Sequence, residues 1–159
     1  MRKNSIESED VIKSVTFNRD ISVVKIHGPG IGYKPGIIAK VGSILCDLGI
    51  NIFSVMTSQT CINLLLNSRD SLKSCESIKA LFNGVIEKVE SEEDLALISV
   101  VGKGLKNRRG IAARVFSAVA AENINIEMIS SGASEVANYF IIKDEYVEKT
   151  INAIHFEFF

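Results

Sequence analysis

Gly36-Ile37-Ile38-Ala39-Lys40-Val41 returns 74 residues later as Gly110-Ile111-Ala112-Ala113-Arg114-Val115. A second pair of segments, Gly49-Ile50-Asn51-Ile52 and Asn123-Ile124-Asn125-Ile126, has the same offset of 74 residues. Because both matches share one register, the spacing between the motifs is repeated as well as the motifs themselves. The chain therefore contains two copies of one structural unit.

Each copy has the same order of predicted elements: a β-branched strand, a loop, a helix, a strand hairpin and a second helix. In the first copy the strands are 21–26, 50–57 and 61–66. The apolar face of its first helix is Ile37, Val41, Ile44, Leu45 and Leu48, and that of its second helix is Leu72, Cys75, Ile78 or Lys79, and Phe82. In the second copy the strands are 95–101, 124–130 and 136–142. The corresponding face of its first helix is Ile111, Val115, Ala118, Val119 and Glu122, and that of its second helix is Val147, Ile151, Ile154 and Phe158. Gly49 and Asn123 stand where a left-handed residue ends the first helix. This order is typical of a ferredoxin-like unit.

The count of strands predicts how the two copies are connected. Only the first copy continues into a fourth strand, at 85–90, while a spare strand at 11–17 precedes it. A three-stranded sheet would leave an unpaired edge, so we expect the spare strand to complete the sheet of the second copy. The predicted fold is α+β, with two βαββαβ units, antiparallel sheets and helices on one face. The first unit (20–91) is inserted in the second (11–19 plus 92–159), and 1–10 is a linker.

Composition excludes several classes of function. The chain has 159 residues, 47% hydrophobic and 23% charged, with a net charge of −1. These values are typical of a globular protein and disfavour a nucleic-acid binder, which needs a basic surface. No apolar run approaches the ~20 residues of a membrane span, and the polar N-terminus predicts no signal peptide. Three cysteines without a CxxC pair suit the cytoplasm.

Possible catalytic and metal-binding groups are sparse. His27 and His155 are the two histidines of the chain. Neither has Cys, Asp or Glu at metal-ligand spacing, and no nucleophile is paired with a base. We expect both histidines to be structural, with no catalytic residue and no metal site.

The loop 28–36 is the first candidate binding element, because it holds four glycines and both prolines and leads into a helix. It lacks the GK[ST] ending of a P-loop and the GxGxxG spacing, so nucleotide binding is disfavoured. A helix N-terminus can bind an anion, which makes the N–H groups of Ile37 and Ile38 candidate donors to an anionic group.

The segment that follows the first helix could complete such a site. We expect the start of the second strand to lie opposite the loop, with Asn51 as donor and acceptor. Thr57 and Ser58 would add hydroxyl groups. The residue types alone favour the alternative, in which Thr57, Ser58 and Gln59 only form a polar hairpin turn.

Several motifs resemble the tandem ACT domains of the regulatory region of aspartate kinases. In the second copy they are residues 97–102, 110–118, 123–126, 128–130 and the closing segment Ala153-Ile154-His155-Phe156-Glu157-Phe158-Phe159. In the first copy they are Ile50-Asn51-Ile52 and Met56-Thr57-Ser58-Gln59, which is similar to the Thr-Ser-Glu turn of the family. The resemblance covers about residues 11 to 159 and implies that each predicted unit is an ACT domain.

The resemblance implies feedback regulation of an enzyme that phosphorylates L-aspartate with ATP in lysine, threonine and methionine biosynthesis. The kinase domain of that family carries a Lys-Phe-Gly-Gly motif, which this sequence lacks. ATP and magnesium would serve that domain, so we expect no cofactor in this chain. Whether the chain is part of a longer enzyme or a separate small subunit stays open. The alternative function is a free-standing ACT-type amino-acid sensor that regulates another partner.

The resemblance also implies an effector site and partners. The effector positions are Ile31, Gly36, Ile37, Ile38, Asn51, Ile52, Thr57, Ser58 and Gln59. The resemblance implies that the N–H groups of Ile37 and Ile38 hold the carboxylate of an amino acid and that Thr57 and Ser58 help to hold its ammonium group. Lysine is the expected effector and threonine the alternative, since Phe53 and Gln59 stand where relatives can carry a carboxylate. We expect a homodimer through the ACT domains, contact with a kinase domain, and no nucleic-acid or membrane partner. The basic loop 103–109 is either solvated or in contact with the kinase domain.

Overall fold

The structure is a computed structural model that describes residues 11–81, 84–103, 105–130 and 134–159. The predicted linker at 1–10 and the predicted core residue Phe82 lie outside these ranges. The strands are β1 (Ile12–Asn18), β2 (Ile21–His27), β3 (Ser54–Thr57), β4 (Cys61–Asn67), β5 (Lys88–Glu92), β6 (Leu95–Gly102), β7 (Met128–Ser130) and β8 (Ala137–Lys143). The helices are α1 (Ile37–Asp47), α2 (Ser71–Leu81), α3 (Ile111–Ala121) and α4 (Val147–Phe158).

The chain divides into two compact units, which confirms the predicted fold class. The inserted unit, Asp20–Glu93, has a sheet with the order β3-β4-β2-β5. The outer unit, 11–19 with Asp94–Phe159, has the order β1-β6-β8-β7. All neighbouring strands are antiparallel, and β1 pairs with β6, with Phe17 opposite Ile98. The predicted boundary at residue 91 lies inside β5.

One close backbone approach occurs at the same place in both units. A Cβ atom at Gly28 would collide with the carbonyl oxygen of Val85, and a Cβ atom at Gly102 would collide with that of Val11. Gly28 and Gly102 are equivalent in the 74-residue repeat, so Val11 has in the outer unit the place that Val85 has in the inserted unit. The equivalence supports β1 as the fourth strand of the outer sheet.

Each unit buries one face of its sheet against its two helices. Alternate residues of a strand point to the same face, and those of the central strands form the cores. The inserted core joins Val24, Ile26, Ile62, Leu64 and Leu66 to Ile37, Val41, Leu45 and Ile78. The outer core joins Ala96, Ile98, Val100, Phe140 and Ile142 to Ile111, Val115, Val119 and Ile154. In the part of the chain that the structure describes, no helix has the length and apolar character needed to cross a membrane.

The prediction that Leu72 belongs to the core is wrong, because this side chain is 72% exposed. The buried face of α2 instead carries two hydroxyl groups beside Cys75 and Ile78. Ser71 Oγ donates to Glu93 Oε1 (2.6 Å) and Ser74 Oγ donates to the carbonyl of Asp70 (2.7 Å). These hydrogen bonds compensate the burial of both hydroxyls.

Two predicted strands begin too early, and a third is shifted. β3 begins at Ser54 and not at residue 50, and β7 begins at Met128 and not at residue 124. Ile50 and Ile124 are buried, but their N–H groups donate to carbonyls of the preceding helices. Their apolar character therefore reflects packing at a helix end. β5 occupies Lys88–Glu92 in place of 85–90.

We expect Ile12→Ala to lower the free energy of unfolding by about 2–5 kcal/mol, because it removes a buried side chain of β1 from the outer core. Thr16→Ala, on the exposed side of the same strand, should change it by roughly 0.5 kcal/mol or less. Urea unfolding followed by circular dichroism measures both. Equal effects would argue against packing of β1 into that core.

Candidate functional site

The loop 28–36 docks on the turn between β3 and β4. The N–H of Gly28 donates to the carbonyl of Thr60 (3.0 Å), and the N–H of Gly32 donates to that of Gln59 (3.2 Å). Ile31 anchors the loop from below, since its side chain is buried in the inserted core. The structure therefore brings together the glycine loop, the start of α1 and the residues after β3.

Gly32 makes this contact possible, although it is absent from the predicted site. A Cβ atom there would collide with the carbonyl oxygen of Ser58. The equivalent position of the outer unit, 74 residues later, is Lys106. The glycine–lysine difference between the repeats is the signal that could have found Gly32.

The N-terminus of α1 offers backbone donors at one side of the docked loop. Gly36 is the N-cap, with φ 87° and no side-chain capping bond. The N–H groups of Ile37 and Ile38 belong to the first turn, so helical geometry supplies them with no carbonyl partner. Ile37 is buried and Ile38 is half exposed. The arrangement can accept a carboxylate at the helix N-terminus.

Of the three predicted site residues at the end of β3, Ser58 forms the turn, and Thr57 and Gln59 have exposed side chains. Ser58 Oγ accepts the N–H of Cys61 (3.1 Å), and the N–H of Ser58 donates to the carbonyl of Cys61 (2.8 Å). Its hydroxyl therefore stabilises the turn. Thr57 pairs with the core residue Ile62 and so lies on the helix-bearing face of the sheet. Thr57 and Gln59 are exposed.

Asn51 and Ile52 lie at the other end of β3, so the expectation that the start of this strand faces the loop is wrong. β2 and β3 are both antiparallel to β4 and therefore run in the same direction. Their carboxyl ends meet at one edge, where the loop begins. The N–H of Phe53 donates to the carbonyl of Leu65, and the four residue steps from Phe53 to Thr57 span about 13 Å. One protomer does not bring Asn51 to the loop.

The carboxylates of the inserted unit are unevenly distributed. Residues 28–46 and 48–69, which include the loop, β3 and β4, contain no Asp or Glu. On β5, Glu90 accepts from Lys88 (2.5 Å) and contacts His27 Nε2 (3.1 Å), and Glu92 pairs with Lys25. The hydrogen bond from Lys88, followed by the charges of Lys88 and His27, lowers the pKa of Glu90. The segments that form the candidate site therefore contain no Asp or Glu of their own.

Two further features belong to the outer unit. His155 stacks on Phe159 with ring centroids 4.7 Å apart, and the described residues hold no cluster of His, Cys, Asp and Glu suited to a metal ion. A groove of about 500 Å³ lies between α3 and α4 of the outer unit, lined by Ala118, Ala153 and Phe156 among others. None of the predicted effector positions lines it.

Comparison with known proteins agrees with this geometry. The family model of the ACT domain matches residues 98–158, most of the outer unit. An aspartate kinase of Gibberella moniliformis is 34% identical over 148 residues, which is 92% of this chain and 29% of the relative. The ligand-free regulatory subunit of aspartate kinase from Thermus thermophilus superimposes with a TM-score of 0.86, at 27% identity, over 94% of this chain and 99% of that one.

The chain is similar to the regulatory ACT region of aspartate kinases. Escherichia coli aspartokinase III in complex with lysine and aspartate also matches, with a TM-score of 0.76 and 25% identity, over 98% of this chain and 35% of that one. The chain thus spans less than a third of the Gibberella relative but nearly all of a regulatory subunit. Both of its units have the ACT fold, including the inserted unit, which the repeat predicts.

We expect Gly32→Ala to separate the loop from the turn and to lower the free energy of unfolding by about 1–3 kcal/mol, the usual effect of overpacking. Gly42→Ala is the matched control, since a Cβ atom there meets nothing within 4 Å in α1. It should be neutral or stabilising by about 0.5–1 kcal/mol. Chemical unfolding measures both, and amide chemical shifts at Gln59 and Thr60 should move only in Gly32→Ala. Unmoved shifts in that variant would refute the contact.

Proposed function

We propose that the chain is the regulatory, amino-acid-binding region of an aspartate kinase. The observation that carries the proposal is the loop docked at the N-terminus of α1, in a chain that matches a regulatory subunit along nearly its full length. The described residues present no catalytic constellation, while the loop supplies backbone donors for a carboxylate. Binding and not chemistry is the function that this geometry supports.

The ligand we propose is a free amino acid. The N–H groups of Ile37 and Ile38 would hold its carboxylate, and oxygen acceptors at Thr57, Gln59 and Asn51 would hold its ammonium group. Lysine, found bound to the aspartokinase of Escherichia coli, is the ligand that the family resemblance suggests, and threonine is the alternative. ATP and magnesium would belong to the kinase domain.

The separation of Asn51 from the loop favours a site completed by two protomers. β3 is an edge strand with exposed apolar side chains: Phe53 is 47%, Val55 42% and Met56 37% exposed. An unpaired edge of this kind pairs readily with another chain. Two copies that pair antiparallel through β3 would place Asn51 of one near the turn of the other. We therefore propose a homodimer with the effector at the interface.

Effector binding would act by shifting an equilibrium between two arrangements of the regulatory region. A ligand shifts such an equilibrium only as far as it binds one arrangement better than the other. The linked change in the kinase domain would be the feedback signal. All three cysteines are free, which suits action in the cytoplasm.

The test is thermal unfolding of the chain with lysine, threonine, methionine or isoleucine. A thousandfold excess of ligand over its Kd should stabilise the chain by about 4 kcal/mol. Asn51→Ala and Thr57→Val should weaken the effect and leave the unfolding temperature without ligand nearly unchanged, because both residues are exposed. Thr16→Val, in the outer unit, is the control. If no amino acid raises the unfolding temperature, the proposed function is wrong.

We expect Met56→Lys to convert the dimer to monomer, because two lysines would meet across the paired β3 edges. Leu72→Lys, at an exposed position of α2, adds the same charge away from that edge and should leave the dimer intact. Sedimentation equilibrium of the two variants and the unmodified chain gives the masses. An unmodified chain that sediments as a monomer, or a dimer that survives Met56→Lys, would contradict pairing through β3.

A further inference from the structure

The strip of the inserted unit that faces the proposed ligand carries no negative side chain. Residues 28–46 cover the glycine loop and nearly all of α1, and residues 48–69 cover β3, its turn and β4. Neither range contains an Asp or a Glu. Because both ends of β3 lie within them, this holds whether one protomer forms the site or two protomers share it.

Three of the eight carboxylates of the unit lie at the opposite edge of the sheet, and Asp20, Asp70, Glu76 and Glu93 lie before β2, before and on α2, and after β5. Glu87, Glu90 and Glu92 are on β5 or just before it, and the N–H of Glu87 donates to the carbonyl of His27 on β2 (2.8 Å). In the order β3-β4-β2-β5, β5 is three strand spacings from β3, about 14 Å. Glu90 and Glu92 are also paired with lysines.

Asp47 is the carboxylate that interrupts the acid-free strip, at the last residue of α1. It follows the buried Leu45 by two residues, which is about 200° around the helix axis. Its Cβ atom therefore points away from the sheet, and the residue is exposed. Asp47 does not supply a negative charge to the sheet side of the site.

Two positive charges lie in or next to the loop: the exposed Lys34, in the loop, and the exposed Lys40, in the first turn of α1. Together with the N-terminus of α1 they make the local potential positive, which favours a carboxylate. The α-ammonium group of a ligand still has carbonyl and hydroxyl oxygens as partners. A second ammonium group would have no carboxylate and would lose hydration without compensation.

Apolar surface is what the site offers to a ligand side chain. Ile38, directly after the first helical residue, is 50% exposed, and Val55, two residues before Thr57, is 42% exposed on the face of the sheet that carries α1. Half-exposed apolar side chains next to backbone donors are typical of a site that fixes the main chain of a ligand and leaves its side chain in an apolar environment.

We propose that the effector of this chain is an amino acid with an uncharged, mainly apolar side chain, and that the site discriminates against lysine. The proposal rests on the proposed function, because it specifies the ligand of the same site. The site discriminates against lysine because the ε-ammonium group would have no carboxylate partner. A carboxylate at position 59, in place of Gln59, would supply that partner.

Isothermal titration calorimetry of the full chain with norleucine and lysine tests the proposal, since norleucine has the carbon chain of lysine without the ε-ammonium group. Norleucine should bind at least about tenfold more tightly. Gln59→Glu should reduce the ratio of the lysine Kd to the norleucine Kd, because it brings a carboxylate to the turn. Leu72→Glu, which adds the same charge on α2, should leave the ratio unchanged.

The outcomes separate this proposal from the function on which it rests. Lysine binding as tightly as norleucine, or aspartate binding more tightly than either, would overturn the discrimination and leave the regulatory function standing. Failure of every amino acid to bind would overturn both. A preference for norleucine that Gln59→Glu reduces and Leu72→Glu preserves would support both.

Discussion

The antiparallel pairing of β1 with β6 is the interaction on which the outer unit, and the insertion of the other unit within it, depend. β6 is a central strand of the outer sheet, and without β1 one of its edges would have unpaired backbone groups. The inserted unit occupies the connection between these two strands, so the pairing defines where that unit begins and ends. A Cβ atom at Gly102 would collide with the carbonyl oxygen of Val11. The backbone just before β1 therefore lies very close to the end of β6.

The two units share a fold but differ in the loop before the first helix. In the inserted unit Gly32 lets the loop lie directly on the turn after β3, where its N–H donates to the carbonyl of Gln59. In the outer unit Lys106 stands at the equivalent position, within a loop that also carries the exposed Arg108 and Arg109. The core pattern is repeated in both units, and the loop before the first helix is where the two units differ.

The architecture was predictable because it depends on periodicity and on edge counting, and both can be read from residues such as Ile37, Val41 and Leu45. Local departures from this periodicity could not be predicted from the sequence. Ser71 and Ser74 are buried where Leu72 was expected, since their hydroxyls find partners that no apolar periodicity reports. The positions of Asn51 and Gly32 relative to the turn depend on strand direction and on a contact between distant residues. Sequence spacing alone contains neither.

The insertion also has a consequence for the order of folding. Asn18 pairs with Leu97 across the whole inserted segment, and closing so long a loop has a large entropic cost in an unfolded chain. Once β2 pairs with β5, with Val23 opposite Glu92, the two ends of the segment are already close together. The inserted unit can therefore form first from its own residues and act as a short connector for β1 and β6. Contacts that are distant in the sequence then become local ones, which favours fast folding of the outer sheet.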